Sequence, residues 1–157
     1  MLKVGDLLVR FGKILKISAI KTDSVELHPF FNLKTSSGLT YSIPTESLNH
    51  GQIRPIVTLE KLNRILKTLF MKTSPVTVSV DVIDTKNALN THELAESLFL
   101  VKTLWLEKQN HTGFLPSGRL SLYQQALTQS TDEIAAIKSI LPDEAKLLVL
   151  SLLKQTN

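Results

Sequence analysis

The stretch YSIPTESLNHGQIRPIVTLEKLNRILKTLF, residues 41–70, begins with the pattern of a strand and ends with the pattern of a helix. Pro44 has no N–H to donate to a sheet, so the strand is predicted to end there. Residues 45–48 are predicted to form a single helical turn that closes at 49–51. Residues 52–57 are predicted to be extended. The stretch therefore connects a β-rich first part of the chain to a helical second part.

A helix is predicted to begin after Thr58, whose hydroxyl can accept a hydrogen bond from the first helical turn and serve as an N-cap. One stripe of this helix carries apolar residues, namely Leu59, Leu62, Ile65, Leu66, Leu69 and Phe70. The opposite face carries basic residues, namely Lys61, Arg64 and Lys67. This distribution predicts an amphipathic helix with one buried face.

Short strands separated by turn residues are predicted before Pro44. The candidate strands are residues 7–10, 14–20, 24–27, 30–34 and 39–43, and the breaks between them are 11–12, 22–23, 28–29 and 36–38. Alternation along the second strand places Leu15, Ile17 and Ala19 on the predicted core face. Strands this short and this numerous cover their edges most easily by curling, which predicts a small SH3-like or Tudor-like barrel.

Residues 73–90 alternate valine with small polar residues, which predicts a linker or an added edge strand. The chain beyond this segment has helical periodicity. Thr91 is the expected cap of a helix that continues to about Gln109 and is stopped by Gly113. Trp105, the only tryptophan, lies on the apolar stripe of this helix. A core position is therefore favoured for Trp105 over base stacking or insertion into DNA.

A seven-residue repeat runs through the last third of the chain. It is formed by Leu120, Leu127, Ile134 and Leu141. The repeat continues without interruption through residues 130–133, which favours one long helix. The alternative is two helices, with Ser130 and Glu133 as a capping box at the second start. Pro142 is suited to a first-turn position and is predicted to begin the last helix.

Together these patterns predict an α+β protein in which a small SH3-like or Tudor-like β-barrel is followed by an all-α helical domain. The predicted domains are the barrel at 1–57, a connecting helix with a linker or edge strand at 58–90, and the helical domain at 91–157.

Residue types that support catalysis or cofactor binding are scarce in this sequence. The chain has no cysteine, which excludes disulfides and thiolate chemistry. The four histidines are not paired at helical spacing, no glycine-rich phosphate loop is present, and the serines lack a nucleophile motif. We therefore expect no catalytic residue, no metal site, no cofactor and no enzymatic activity.

The apolar segments are too short for membrane insertion. The N-terminus lacks the apolar core of a signal peptide, and the run at 147–153 is far shorter than the roughly 20 residues that cross a bilayer. A soluble cytoplasmic protein without a membrane partner is therefore expected.

Charge differs between the two halves of the chain, whose overall net charge is +4. Residues 1–72 contain eleven Lys and Arg against five acidic residues, a balance of +6, whereas residues 73–157 contain seven against nine, a balance of −2. A basic first half suits an acidic protein surface or a nucleic acid as partner.

Several segments, in this order and spacing, resemble the CarD-type bacterial transcription regulators, whose N-terminal module also occurs in the transcription-repair coupling factor. In the first half they are VGDLLV at 4–9, Gly12 with the strand after it, FFNLK at 30–34, YSIP at 41–44 and GQIRPI at 51–56. In the second half they are KTLWLEKQNHTG at 102–113, similar to the family's helix end, and EIAAIKSILPDEA at 133–145, similar to its closing helices. The resemblance covers most of the chain except about 73–90.

The resemblance implies a Tudor-like barrel that docks on the β subunit of RNA polymerase and a helical domain that contacts promoter DNA. A barrel edge around Lys34, Leu39, Tyr41 and Ser42 is the expected polymerase-binding site, and strand addition is the expected mode. The expected nucleic-acid-binding residues are Lys86, Lys108 and Arg119.

Two alternatives remain open. In the first, the protein is an interaction adaptor of the same architecture that has lost DNA binding. This alternative is motivated by residues 73–90, which contain no aromatic residue and one basic residue, Lys86, and by the acidic balance of the second half. In the second, the barrel itself binds nucleic acid. The residues that would do so are Arg10, Lys13, Lys16 and Lys34, with Phe11 and Tyr41 as stacking candidates.

Overall fold

A computed structural model of the protein describes residues 1–31, 39–49, 52–71, 85, 89 and 93–156. The chain divides into two compact units, Met1–Ile56 and Val57–Asn157. Within the described residues, the first unit contains a five-stranded antiparallel sheet that curls into a half-barrel, and the second contains four long helices. This architecture confirms the predicted α+β class.

The strands of the first unit are all short. They are β1 Leu7–Arg10, β2 Lys13–Ile20, β3 Ser24–Pro29, β4 Tyr41–Pro44 and β5 Ile53–Pro55, and a 3-10 helix at Thr45–Asn49 lies between β4 and β5. Their order across the sheet is β4-β3-β2-β1-β5. The strand end at Pro44 and the helical turn after it are confirmed.

The predicted strand at 30–34 is wrong where the structure describes it, because Phe30 and Phe31 form a bend and 32–34 lie outside the described residues. The predicted break at His28 and Pro29 is also wrong, since both belong to β3, with Pro29 opposite Leu15. The β3–β4 pairing ends at Leu27 and Tyr41, before Pro29. The missing N–H of Pro29 therefore interrupts no hydrogen bond between these two strands.

The core of the half-barrel lies on its concave face. It consists of Leu8, Leu15, Ile17, Val25, Leu27 and Ile43, with the partly buried Leu2, Leu48 and Ile53 packed against it. The prediction that Leu15 and Ile17 face the core is confirmed. Strand alternation places Ile14 on the face of β2 opposite to Leu15, yet Ile14 is buried together with its cross-strand partner Val9.

A bulge in β2 alters the predicted alternation. The register shifts between Ile17 and Ala19, and the Ser18 hydroxyl donates to the Glu26 carbonyl at 3.1 Å. Ala19 is consequently opposite Glu26 and is only half-buried, so its predicted place on the core face is wrong. An extra residue in one strand reverses the side-chain alternation beyond it, and this is not apparent from periodicity.

The second unit contains α1 Leu59–Phe70, α2 Leu94–Asn110, α3 Ser117–Lys138 and α4 Pro142–Gln155. Thr58 is the N-cap of α1, as predicted, and its hydroxyl accepts from the Lys61 N–H at 3.2 Å. The expected cap Thr91 lies outside the described residues. The capping box at the start of α2 is made by Glu93, whose N–H donates to Glu96 Oε2 at 2.9 Å.

Gly113 follows α2 with a left-handed φ of 82°, and its N–H donates to the Lys108 carbonyl at 2.8 Å. This geometry ends the helix as predicted. α3 is one continuous helix, which confirms the single-helix alternative. The Ser130 hydroxyl donates back to the Ala126 carbonyl at 2.5 Å within the helix instead of capping a new one.

The seven-residue repeat describes α3 only in part. Leu127 and Ile134 are buried, but Leu141 lies beyond the end of the helix and is 66% exposed. Leu141 is instead the N-cap residue of α4, and its N–H donates to Glu144 Oε2 at 3.0 Å. Pro142 at the start of α4 is confirmed.

Two buried charges hold the ends of α1. At its N-terminal end, the Val57 N–H donates to Oε1 of Glu133, which lies on α3 and is 2% exposed. At its C-terminal end, Nζ of Lys102, which lies on α2 and is 5% exposed, donates to the Leu69 carbonyl at 2.5 Å. Each charge has the sign that favours that end of the helix dipole, so together they fix α1 against the other helices.

Candidate protein-binding surface

Among the described residues, strand β4 forms one edge of the sheet and is paired only with β3. The Thr45 N–H donates to the Asp23 carbonyl at 3.0 Å, in the same register that pairs Ile43 with Val25 and Ser42 with Glu26. Antiparallel pairs alternate between hydrogen-bonded and non-hydrogen-bonded positions. The N–H and C=O groups of Ser42 therefore point away from β3, toward the open edge.

The other sheet edge, β5, is less suited to pairing. β5 has only three residues, and the Ile56 N–H donates to the Leu7 carbonyl at 3.3 Å. The same alternation directs the backbone nitrogen of Pro55 outward, where proline has no hydrogen to donate. Proline and short length are common protections of an edge strand, so β4 is the more accessible edge for another chain.

The predicted polymerase-binding residues are found together at this edge, except Lys34, which lies outside the described residues. Tyr41 is opposite Leu27 and so extends the concave face, where it is 36% exposed. Leu39 precedes it and is 51% exposed, with its carbonyl 3.1 Å from His28 Nδ1. Ser42 lies on the outer face opposite Glu26. The edge thus presents two apolar side chains beside outward-facing main-chain groups.

A cavity of about 410 Å³ opens in the seam between the two sheet edges. We call it the seam cavity. It is lined by Arg10, Ser42, Ile43, Pro44, Ser47, Gln52 and Ile53. These residues come from β1, from both edge strands and from the segment between them. The cavity therefore lies beside Ser42, at the edge that is open for pairing.

Of the described residues that line the seam cavity, Arg10 is the only charged one. It lies two residues after the core residue Leu8, so strand alternation places it on the concave face. Its guanidinium carbon is 5.0 Å from the centroid of the Phe11 ring. Its Nε is buried, and within the described residues this nitrogen has no hydrogen-bond partner. The guanidinium of arginine keeps its positive charge at any physiological pH, so Arg10 favours an anionic partner in the cavity that it lines.

Two of the predicted nucleic-acid-binding residues, Lys108 and Arg119, lie on neighbouring helices of the second unit. Arg119 Nη1 donates to Glu107 Oε2 at 2.9 Å in a partly buried ion pair. Lys108 Nζ lies 6.0 Å from the centroid of the Tyr123 ring. Both cations therefore have intramolecular partners. The third residue, Lys86, lies outside the described residues.

Trp105 is only half-buried on α2, although Leu94, Leu98 and Val101 of the same stripe are fully buried. Its indole Nε1 is buried and has no hydrogen-bond partner in the described part of the chain. The predicted core position is thus correct for the N–H edge of the ring, while another part of the side chain reaches the surface.

The described residues contain no group of three or more His, Cys, Asp or Glu side chains that could hold a metal ion. Within the same ranges, none of the helices has both the length and the apolar character required to cross a bilayer.

No protein-family model matches the chain, and a search of curated proteins finds no significant similarity. The interpretation of the surface therefore depends on its geometry and on the resemblance noted from the sequence.

The sequence predicts the β4 residues from the resemblance and from the short exposed strands. It suggests Arg10 only as a nucleic-acid contact and does not indicate the place of this residue in the seam cavity. The sequence feature that indicates the direction of Arg10 is the alternation of β1, which puts Arg10 on the same face as Leu8. Recognising the cavity itself required the pairing of β5 with β1, which brings Ile53 opposite Arg10.

Proposed function

We propose that the protein is a CarD-type bacterial transcription regulator whose Tudor-like half-barrel docks on the β subunit of RNA polymerase by strand addition at β4. The observation that carries the proposal is the open β4 edge, where the Ser42 N–H and C=O point away from β3. The resemblance supplies the identity of the partner. Strand addition depends mainly on main-chain hydrogen bonds, so it tolerates differences in side chains.

Pro44 sets the limit of this pairing. It follows Ser42 by two residues and therefore also directs its backbone nitrogen outward, where it has no hydrogen. The partner strand is expected to pair with the segment up to Ser42 and to cover Tyr41 and Leu39 on the concave side. Exposed apolar side chains beside an open edge are typical of such a contact.

Substitution of Ser42 by proline tests this mode directly. Proline at an edge strand is tolerated when its nitrogen faces outward, so Ser42→Pro removes one intermolecular donor without removing a β3 pair. Ser42→Ala keeps the N–H and is the matched control. We expect Ser42→Pro to reduce co-purification of RNA polymerase with the full-length protein by about tenfold, and Ser42→Ala to leave it unchanged.

Circular dichroism should show that both variants remain folded. Equal recovery of polymerase with folded Ser42→Pro and with the unsubstituted chain would refute strand addition at β4. Failure of the unsubstituted protein to recover the β subunit would refute the assignment of the partner.

An adaptor without DNA binding is the second candidate function. Arg119 is paired with Glu107 and Lys108 lies against Tyr123, so neither cation is positioned primarily for phosphate contact. Binding to the DNA backbone relies on Lys and Arg displacing counterions, and it weakens steeply with salt.

Fluorescence anisotropy with a labelled promoter duplex distinguishes the two candidates. The adaptor predicts no binding by the full-length protein at moderate salt. Salt-sensitive binding that is weakened by Lys108→Ala and Arg119→Ala, and not by the exposed Lys146→Ala control on α4, would instead establish DNA contact by the helical unit.

A further inference from the structure

We infer that the seam cavity binds an acidic side chain of an extended protein segment, with the carboxylate on the guanidinium of Arg10. The inference rests on the proposed strand addition at β4 and adds the chemistry of the segment that docks there.

No acidic residue lines the seam cavity in the described part of the chain. Apart from Arg10, the described lining residues are neutral, and the polar ones are Ser42, Ser47 and Gln52. The residue directly opposite Arg10 across the β1–β2 hairpin is Lys13, a second cation. Like charges opposite each other destabilise a sheet, and a bound anion would offset this repulsion.

Arg10 lines the cavity, although its Nε is buried and, among the described residues, has no hydrogen-bond partner. A guanidinium forms strong charge-assisted hydrogen bonds with a carboxylate. A single acidic side chain in the cavity would therefore supply a negative charge and an acceptor to the accessible part of this guanidinium.

The position of the cavity beside the open edge strand also favours an acidic side chain of a paired segment. The cavity is lined by Ser42 and Pro44 of the open edge strand and by Ile53 of the opposite edge. A segment that pairs with Ser42 lies along one wall of the cavity, and successive side chains of a strand point alternately to its two faces. One of its side chains is thus directed toward Arg10. This proximity to main-chain pairing groups favours a peptide carboxylate over a free anion.

The experiment is a selection of random heptapeptides displayed on phage against the immobilised full-length protein, followed by affinity measurements on synthetic peptides. We expect the selected peptides to be enriched in Asp or Glu at one position. A synthetic peptide with Gln at that position should bind about tenfold more weakly than the acidic form in fluorescence anisotropy. This preference should decrease as salt is raised.

The same selection is repeated with three variants. Arg10→Met should abolish the acidic preference, and Arg10→Lys, which keeps the charge but loses the guanidinium edge, should retain only part of it. Lys16→Met, at an exposed position three residues after Lys13, should leave it unchanged. Circular dichroism verifies the fold of each variant, and Arg10→Lys keeps the test valid if Arg10→Met does not fold.

Selection of no peptide, of peptides without acidic enrichment, or of the same acidic enrichment with Arg10→Met would each overturn the inference. The proposed docking mode is judged separately. Peptides that bind Ser42→Ala but not Ser42→Pro, and that show no preference for an acidic residue, would refute the role of Arg10 while supporting strand addition.

Discussion

The ammonium group of Lys102 is predicted to stabilise the helical unit through its contact with the end of α1. Its Nζ is 2.5 Å from the Leu69 carbonyl, and the side chain is almost completely buried. The substitution Lys102→Met keeps much of the apolar stem and removes the charged donor. The Leu69 carbonyl, which lies in the last turn of α1, then loses this partner.

The expected magnitude follows from two opposing effects. A hydrogen bond to a charged group contributes about 1.5–3 kcal/mol net, and a cation near a helix C-terminus adds about 0.3–1 kcal/mol. Against this, removing a buried charge recovers part of its desolvation cost. We expect Lys102→Met to lower the free energy of unfolding by about 2 kcal/mol. With a typical dependence on urea, this corresponds to a midpoint lower by about 1 M.

Trp105 provides the assay, because it is the only tryptophan and lies one turn beyond Lys102 on α2. Urea unfolding would be followed by its fluorescence and, in parallel, by circular dichroism at 222 nm. Lys67→Met is the matched control, since Lys67 lies in the same last turn of α1 but is exposed. The control should change stability by less than about 0.5 kcal/mol.

A Lys102→Met protein as stable as the unsubstituted chain, or more stable, would refute the reasoning. It would show that the desolvation of the ammonium group outweighs its hydrogen bond and its interaction with the helix dipole.

Two further predictions concern the helices. Burial raises the pKa of Asp132 from its ordinary value of 3.8 to about 6. The folded state therefore binds this proton more tightly than the unfolded state does, and the resulting stabilisation is complete below pH 3.8 and is lost as the pH rises through 6. Because Asp132 is partly solvated, we expect Asp132→Asn to raise the free energy of unfolding by only about 1 kcal/mol at pH 7.5, and the gain to vanish near pH 3.5. Urea midpoints at both pH values test this, and an equal gain at both would contradict it. Thr58→Ala should destabilise α1 by about 1 kcal/mol in the same urea assay through loss of the N-cap, whereas Thr58→Ser should not, and equal effects of the two would contradict the capping role.

The helices were predictable because their determinants are local. Thr58 caps α1 through a bond to Lys61 three residues away, and Gly113 ends α2 through a left-handed backbone conformation. Both signals are contained in a few neighbouring residues, so they can be identified without knowledge of the tertiary structure.

The strand predictions were wrong at positions where pairing with a neighbouring strand determines the side-chain direction or the length of the strand. The place of Ala19 depends on a bulge opposite Glu26, and the extension of β3 through Pro29 depends on which residues β4 reaches. The binding surface also has one part that is predictable from the sequence and one part that depends on strand pairing. Its exposed residues near β4 could be proposed from the sequence, but the direction of the Ser42 main chain follows from the register with β3.

The sequence by itself determined the α+β class, the turn after Pro44, the N-cap at Thr58 and the charge difference between the halves, because these depend on composition and on residues close in the chain. Only the tertiary structure decided that Arg10 lines the seam cavity beside the β4 edge, and that Lys102 and Glu133 hold the two ends of α1. Those features join residues far apart in the sequence. Their energies arise from burial and hydrogen-bond partners, which exist only once the chain has folded.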